Sequence, residues 1–187
     1  RVIDCRAKVA VGFEQRSVEI ETDDGKGQVA HGSGGGGRFF KLQANGGKAP
    51  RMNMTRDFAA IVLAAGKGTR MKSDLHKVLH PIAGRPMLDH LLATVDALQP
   101  AKKVVVVGAG RDQLENALAG SAETCLQEPQ LGTGHAVQQA EENLADHSGD
   151  VLVLYGDVPF VKGETMQAML DRLHAEDRPK VVVLGFE

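Results

Sequence analysis

The chain has 187 residues, of which 42% are apolar, and a net charge of −2 with histidine neutral; it has no Trp and one Tyr. That size and composition allow one domain with a core of Val, Leu, Ile and Ala, plus an appendage. They exclude the basic excess of a nucleic-acid or anionic-membrane binder, a bilayer-spanning run and the apolar block of a signal peptide in residues 1–10, so any anionic ligand must be held by a local site.

Residues 1–51 differ in composition from the rest. Two short β-like patches, 8–13 and 17–22, precede glycine-rich stretches at 32–37 and 45–47. Such stretches lose much backbone entropy on ordering and act as flexible linkers. Met52 and Met54 stand just before the first strong strand, and either makes a sensible natural start. Residues 1–51 are read as a flexible or poorly ordered extension without enzymatic role, the alternative being a small accessory module on a glycine linker. Residues 52–187 are predicted to form the folded domain. Cys5 and Cys125 make no disulfide framework and read as reduced thiols of a cytoplasmic protein.

From residue 52 onward, strands and helices alternate. Residues 58–63 are an apolar run of strand length. Residues 86–98 place Met87, Leu88, Leu91, Leu92, Val95 and Leu98 on one helical stripe, with Pro86 suited to a first turn. Four valines at 104–107 form a strand, 112–118 a helix, and 123–126 a short strand. A helix is predicted over 135–144, a strand over 151–155, a helix over 164–174 and a strand over 180–184. Strands without polar alternation are buried on both faces, and strands alternating with helices imply a mostly parallel sheet. The predicted class is an open α/β sandwich, whose ligands sit at the carboxyl ends of the strands. Three of those ends carry unusual chemistry: residues 63–70, 127–134 and 155–157.

The first is Leu63-Ala64-Ala65-Gly66-Lys67-Gly68-Thr69-Arg70-Met71. Small residues after a strand let a ligand approach the backbone, and the loop's N–H groups can face an anion. A dinucleotide loop requires a third glycine, which is absent here, and a P-loop requires a longer spacing before its Gly-Lys-Ser/Thr. What remains is a glycine loop ending in Arg70 and followed by Lys77, cations suited to a triphosphate. Gly108-Ala109-Gly110-Arg111 also resembles a dinucleotide loop, but Gln113 replaces its third glycine, and it reads as a strand-to-helix turn.

Leu63 to Met71, then Lys77-Val78-Leu79-His80, then Ala83-Gly84-Arg85-Pro86-Met87, resemble the opening of the bacterial N-acetylglucosamine 1-phosphate uridyltransferases. The segments from Leu126 to Ala136 and from Leu154 to Pro159 agree in order and place. The resemblance covers about residue 57 to the end and leaves 1–51 untouched. It implies a Rossmann-like three-layer α/β/α nucleotide-diphospho-sugar transferase fold, mostly parallel and truncated at its C-terminus. It implies transfer of a uridylyl group from UTP to N-acetylglucosamine 1-phosphate with release of pyrophosphate, dependent on Mg²⁺.

In the family this activity is usually the first half of a bifunctional, homotrimeric enzyme that also acetylates glucosamine 1-phosphate and supplies peptidoglycan or lipopolysaccharide precursors. By the same resemblance, Leu63, Ala64, Ala65 and Gly66 line the nucleotide pocket, and Arg70 and Lys77 hold the phosphates. Gln127, Gly132 and Thr133 contact uracil and ribose, with Gln130 supporting the turn. Tyr155 and Gly156 flank the nucleotide-sugar, and Asp157 binds Mg²⁺. The second Mg²⁺ ligand and most sugar contacts of the family lie beyond Glu187, so the fragment is expected to be weakly active or inactive alone; the family's trimer depends largely on a β-helix that also lies beyond it, so a monomeric fragment is compatible with the resemblance.

Neither a nucleic acid nor a membrane is expected as a partner. The seven histidines are read as structural or surface residues. The rival readings are another sugar or alditol nucleotidyltransferase using dTTP or CTP, and a non-catalytic nucleotide-sensing module. An oxidoreductase is disfavoured because both glycine loops lack the third glycine.

Overall fold

The computed structural model describes residues 9–11, 57–66 and 68–185. Cys5, the glycine-rich stretches, the patch at 17–22, Met52, Met54 and Lys67 lie outside the described residues. A six-stranded sheet runs in the order β6-β5-β2-β7-β1-β8, and all of its pairings are parallel. The strands are β1 (Val9–Val11), β2 (Phe58–Leu63), β5 (Lys102–Val107), β6 (Glu123–Leu126), β7 (Asp150–Tyr155) and β8 (Val181–Val183). A separate two-stranded hairpin pairs β3 (Pro81–Ile82) with β4 (Arg85–Pro86).

The pleat divides the core in two. Phe58, Ala60 and Val62 of β2, Val105 and Val107 of β5, and Leu152 and Leu154 of β7 belong to one cluster. They pack against α1 (Met87–Ala97), α2 (Arg111–Leu118) and α4 (Gly163–Leu173) through Leu88, Leu91, Leu92, Val95, Leu114, Leu118, Met166, Met169, Leu170 and Leu173. Ile61, Val104, Val106, Val151 and Val153 face the other way, onto Ala136 and Ala140 at α3 (Thr133–Gln139). The result is the three-layer α/β/α arrangement expected from the sequence, each buried Val or Leu contributing about 1.5–3 kcal/mol. No helix among the described residues is long and apolar enough to cross a membrane.

Helix α1 shows why the local pattern works. Its buried residues recur at 88, 91, 92 and 95, one stripe of a helix. Pro86 stands at the N-cap and Asp89 lies in the first turn, where negative charge suits the helix dipole. Gln99 turns left-handed at φ 55° and Pro100 follows, so the helix cannot continue.

The third helix departs from expectation. It starts at Thr133 and ends at Gln139, instead of running from 135 to 144. The following residues tighten into turns with i→i−3 bonds, such as Glu141 N–H to Gln138 O at 3.1 Å and His147 N–H to Leu144 O at 2.9 Å. Lys102 Nζ donates to the Asn143 carbonyl at 2.8 Å, satisfying an acceptor released by that change. The apolar spacing persists, which is why the sequence read as one longer helix. The β3–β4 hairpin was not expected, since Pro81 and Pro86 argue against strands. Its turn uses Ala83 and Gly84 at φ 51° and 80°, the doubly positive geometry that reverses a two-residue hairpin.

Backbone crowding occurs where β7 begins. A Cβ at Gly149 would lie 2.0 Å from the Asp57 carbonyl oxygen, an acceptor already taken by Asp150 N–H at 3.1 Å. Gly149→Ala is expected to lower stability by about 1–3 kcal/mol in urea denaturation at unchanged m-value. An unshifted midpoint would show that β2 and β7 can separate there at no cost. A second expectation concerns β8, whose backbone pairs with β1. In a chain starting at Met52, the β8 amides should exchange at least about tenfold faster while β2, β5 and β7 stay protected. Unchanged β8 protection would mean that Val182 and Leu184, which pack on the core, suffice to hold it.

Candidate active site

The carboxyl ends of β2, β5, β6 and β7 lie on one side of the sheet, and a cleft of about 390 Å³ opens among the loops that follow them. Leu63, Ala64, Ala65, Gly66 and Gly68 line it from the first loop, Gln127, Gln130, Gly132 and Thr133 from the third, and Tyr155 and Asp157 from the end of β7. Lys77 and Val78 close it from a 3-10 turn, Lys77–Leu79. Residues named from three separate stretches of sequence therefore share one cavity.

Close backbone approach builds this cavity. The ladder of β2 extends one step past the strand, with Ala64 N–H donating to Val106 O and Gly156 N–H to Leu63 O, both at 2.9 Å. A Cβ at Gly156 would sit 3.1 Å from that Leu63 oxygen and 3.3 Å from Val78 Cγ1. Gly68, at φ +67°, is more constrained: a Cβ there would lie 2.5 Å from Cβ of Lys77. The lysine stem thus lies directly on the glycine loop, and its ammonium pairs with the Asp157 carboxylate.

Side-chain amides tie the loops together. Gln130 Nε2 donates to the Ala65 carbonyl, and it passes so close to Gly108 that a Cβ at 108 would collide with it. Gln113, the residue standing in place of a third glycine, accepts from His76 N–H at 2.8 Å and donates to the Asp74 carbonyl at 2.9 Å. It fixes the segment that presents Lys77. Sequence reasoning missed this role, because an amide on an exposed helix face carries no signal of what it will reach. Gly108 and Gly110 themselves form the strand-to-helix turn expected of them, with Arg111 N–H bonded to Gly108 O at 3.0 Å.

Gln127 is buried, and its Nε2 donates to the Gly132 carbonyl at 2.8 Å. The same nitrogen lies 3.3 Å from His135 Nδ1. Arg70 is placed differently from Lys77: it is exposed on the 3-10 turn Thr69–Met71 and does not line the cleft. Gly156 is buried next to Tyr155, bonded to Leu63 O, and is not itself among the residues lining the cleft.

No group of three or more His, Cys, Asp or Glu that could hold a metal occurs among the described residues. The cleft does fit a cation of the Mg²⁺ kind. Asp157 offers one carboxylate, and the Lys77 ammonium already stands against it as a positive charge. Mg²⁺ typically takes one or two carboxylates and completes its shell with phosphate oxygens and water. Among the described residues, buried ring nitrogens without a hydrogen-bond partner are both of His76 and Nε2 of His80. Cys125 is half-buried, and burial pushes its thiol up to about 11, an inert thiol in place of a nucleophile.

A model of the MobA-like NTP transferase domain matches residues 60–187, and the chain belongs to this family of nucleotidyltransferase domains. Within it, the chain is 74% identical over 134 residues to the bifunctional protein GlmU of Sphingopyxis alaskensis and 67% identical over 133 residues to that of Novosphingobium aromaticivorans. Those matches cover 72% and 71% of this chain, which spans about 30% of the length of each relative. Among solved structures, the fold is similar to that of Rv0371c from Mycobacterium tuberculosis, with a TM-score of 0.54 at 19% identity over 62% of this chain and 60% of that one. It is also similar to a 4-diphosphocytidyl-2C-methyl-D-erythritol synthase from Anaerococcus prevotii, with a TM-score of 0.52 at 19% identity over 65% and 53%. At such identities the likeness concerns the fold.

His76 gives the site region a pH signature. Burial holds its ring below the ordinary histidine value of 6.5. Above that value the ring is neutral in both folded and unfolded chains. Below it the unfolded chain takes up the proton first, so stability falls until the folded ring also protonates. His76→Met should therefore show a shallower loss of Tm than the wild type as the pH falls below about 6.5. Parallel curves would show that His76 is protonated equally easily in both states.

Proposed function

We propose that residues 52–187 carry the nucleotide-binding part of a uridyltransferase that joins UTP to N-acetylglucosamine 1-phosphate and releases pyrophosphate. The observation that supports this most is the meeting of the glycine loop, Lys77 and Asp157 in one cleft at the strand ends. The identity to proteins named bifunctional GlmU, far above that to the solved neighbours, favours this substrate pair over other nucleotidyl transfers.

In this reading the sugar-phosphate oxygen attacks the α-phosphorus of UTP in line, and the bond to pyrophosphate breaks. Backbone at Leu63, Ala64, Ala65 and Gly66 lets the nucleotide lie close to the strand end. Gln127 presents an amide, able to donate and to accept, to the edge of uracil. Gly132 and Thr133 take the ribose side, and Tyr155 and Gly156 flank the nucleotide-sugar. Lys77 neutralises the phosphates inside the cleft, and Arg70 reaches over them from the rim. Mg²⁺ held by Asp157 would supply charge to the phosphate oxygens. The protein's contribution is positioning and charge neutralisation, with no covalent intermediate.

Several finer points belong to the same reading: cytoplasmic location, weak turnover by this chain alone, and, for the longer protein, a homotrimer that also acetylates glucosamine 1-phosphate.

Calorimetric titration with UTP and Mg²⁺ tests it, beside dTTP and CTP. The chain should prefer UTP, and an Arg70→Ala, Asp157→Ala double variant should lose at least about tenfold in affinity, the loss of two charged contacts. Equal affinity for the three nucleotides would point to a different nucleotidyl transfer. No binding by the folded chain would overturn the assignment of the cleft.

A further inference from the structure

The cleft contains one cationic and one acidic side chain among its described lining residues, Lys77 and Asp157, and they neutralise each other. Their side chains are 38% and 32% exposed, so the pair lies at the water boundary where exchange with a dissolved ion is open. The lysine stem packs on the glycine loop. A Cβ at Gly68 would stand 2.5, 3.0 and 3.1 Å from Cβ, Cγ and Cδ of Lys77, so the stem runs along the loop and carries its ammonium to Asp157. The turn beneath it is anchored by Leu79 N–H to His76 O at 2.9 Å and by the Gln113 bond to His76 N–H.

A stem packed on the loop, with its partly exposed ammonium at the sole carboxylate among the described lining residues, is arranged as a replaceable counter-ion. Resting on the uridyltransferase reading, we propose that Lys77 is a resident counter-cation of Asp157, which it gives up to a divalent cation as it turns to the phosphates. The resting cleft is then neutral in its side chains. Once exchanged, it holds two more positive charges and a freed ammonium. Cation uptake at Asp157 and phosphate capture by Lys77 become one coupled event, linked reciprocally as any two binding equilibria must be. No bond is made or broken in this exchange beyond the ion pair itself.

A double-mutant cycle without metal isolates the coupling. UTP binding in EDTA is measured for the wild-type chain, Asp157→Asn, Lys77→Met and the double variant. Removing a carboxylate eases anion entry in any background, but only with Lys77 present does it also free an ammonium. The gain in UTP affinity from Asp157→Asn should therefore be about two- to fivefold larger in the wild-type background than in the Lys77→Met background, the size of a partly exposed ion pair. Mn²⁺ titration by electron paramagnetic resonance gives a second readout. Lys77→Met should bind Mn²⁺ about two- to fivefold more tightly, and Arg70→Met, which removes a charge from the rim, should change it less.

Lys77→Gln serves as the background if Lys77→Met does not fold. Equal gains in both backgrounds, or equal Mn²⁺ effects of the two cation removals, overturn the exchange while leaving the uridyltransferase reading in place. Failure of every chain to bind UTP, with or without Mg²⁺, overturns both.

Discussion

The site depends on the parallel register of β2 between β5 and β7. Leu63 lies opposite Val106 on one side and Tyr155 on the other, so the three strands deliver their loops at the same level. A slip by one residue would move Phe58, Ala60 and Val62 from the three-helix face to the α3 face and exchange every partner in the core. Burial on both faces makes that register costly to disturb. Ala59 and Ala60 are fully enclosed, and small side chains there let neighbouring elements pack closely over the centre of the sheet. Everything at the cleft inherits its position from this ladder, including the two backbone bonds that extend it past the strand ends.

Beyond the ladder, loops are held by side-chain amides and by missing side chains. Gln130 crosses from the third loop to the Ala65 carbonyl, Gln113 from α2 to the segment before Lys77, and Gln127 to the Gly132 carbonyl. Each such bond contributes about 1 kcal/mol net, and together they set loop-to-loop distances that the sheet alone does not fix. Gly68, Gly108 and Gly156 complement them by removing the atoms that would hold the segments apart. A loop built this way presents backbone to a ligand while remaining tied to its neighbours.

Local pattern explains what could be read in advance. The α1 stripe and the four valines of β5 are statements about neighbours in sequence, and periodicity reports those directly. The parallel sheet and the common level of its strand ends followed from the alternation of elements. The long-range pairings did not. Lys77 and Asp157 are 80 residues apart, and Gln130 and Ala65 are 65 apart. The sequence names candidates for a phosphate cation and a metal carboxylate without saying that they satisfy each other. The end of α3 and the proline-flanked hairpin escaped for a different reason: apolar spacing does not distinguish an α-helical turn from a tightened one, and proline lowers strand propensity even where two residues suffice. The separation of Lys77, which lines the cleft, from Arg70, which is exposed and does not, likewise depends on which way a 3-10 turn faces.

The pairing of Lys77 with Asp157 also bears on what the cleft admits. An isolated lysine beside a glycine loop would attract any phosphate, and an isolated aspartate any divalent cation. Paired, each lowers the other's affinity for its own ligand. A bare anion must break the ion pair and then lie against an exposed carboxylate charge. A bare cation must displace an ammonium that has no other acidic partner among the described lining residues. A ligand carrying both charges, a metal-bound triphosphate, satisfies the two residues at once and leaves neither unpaired. In the proposed exchange, selectivity for a metal-loaded nucleotide over free phosphate or free metal thus comes from an interaction made before any ligand arrives. That selectivity costs affinity for each component alone, as discrimination by unsatisfied charge generally does.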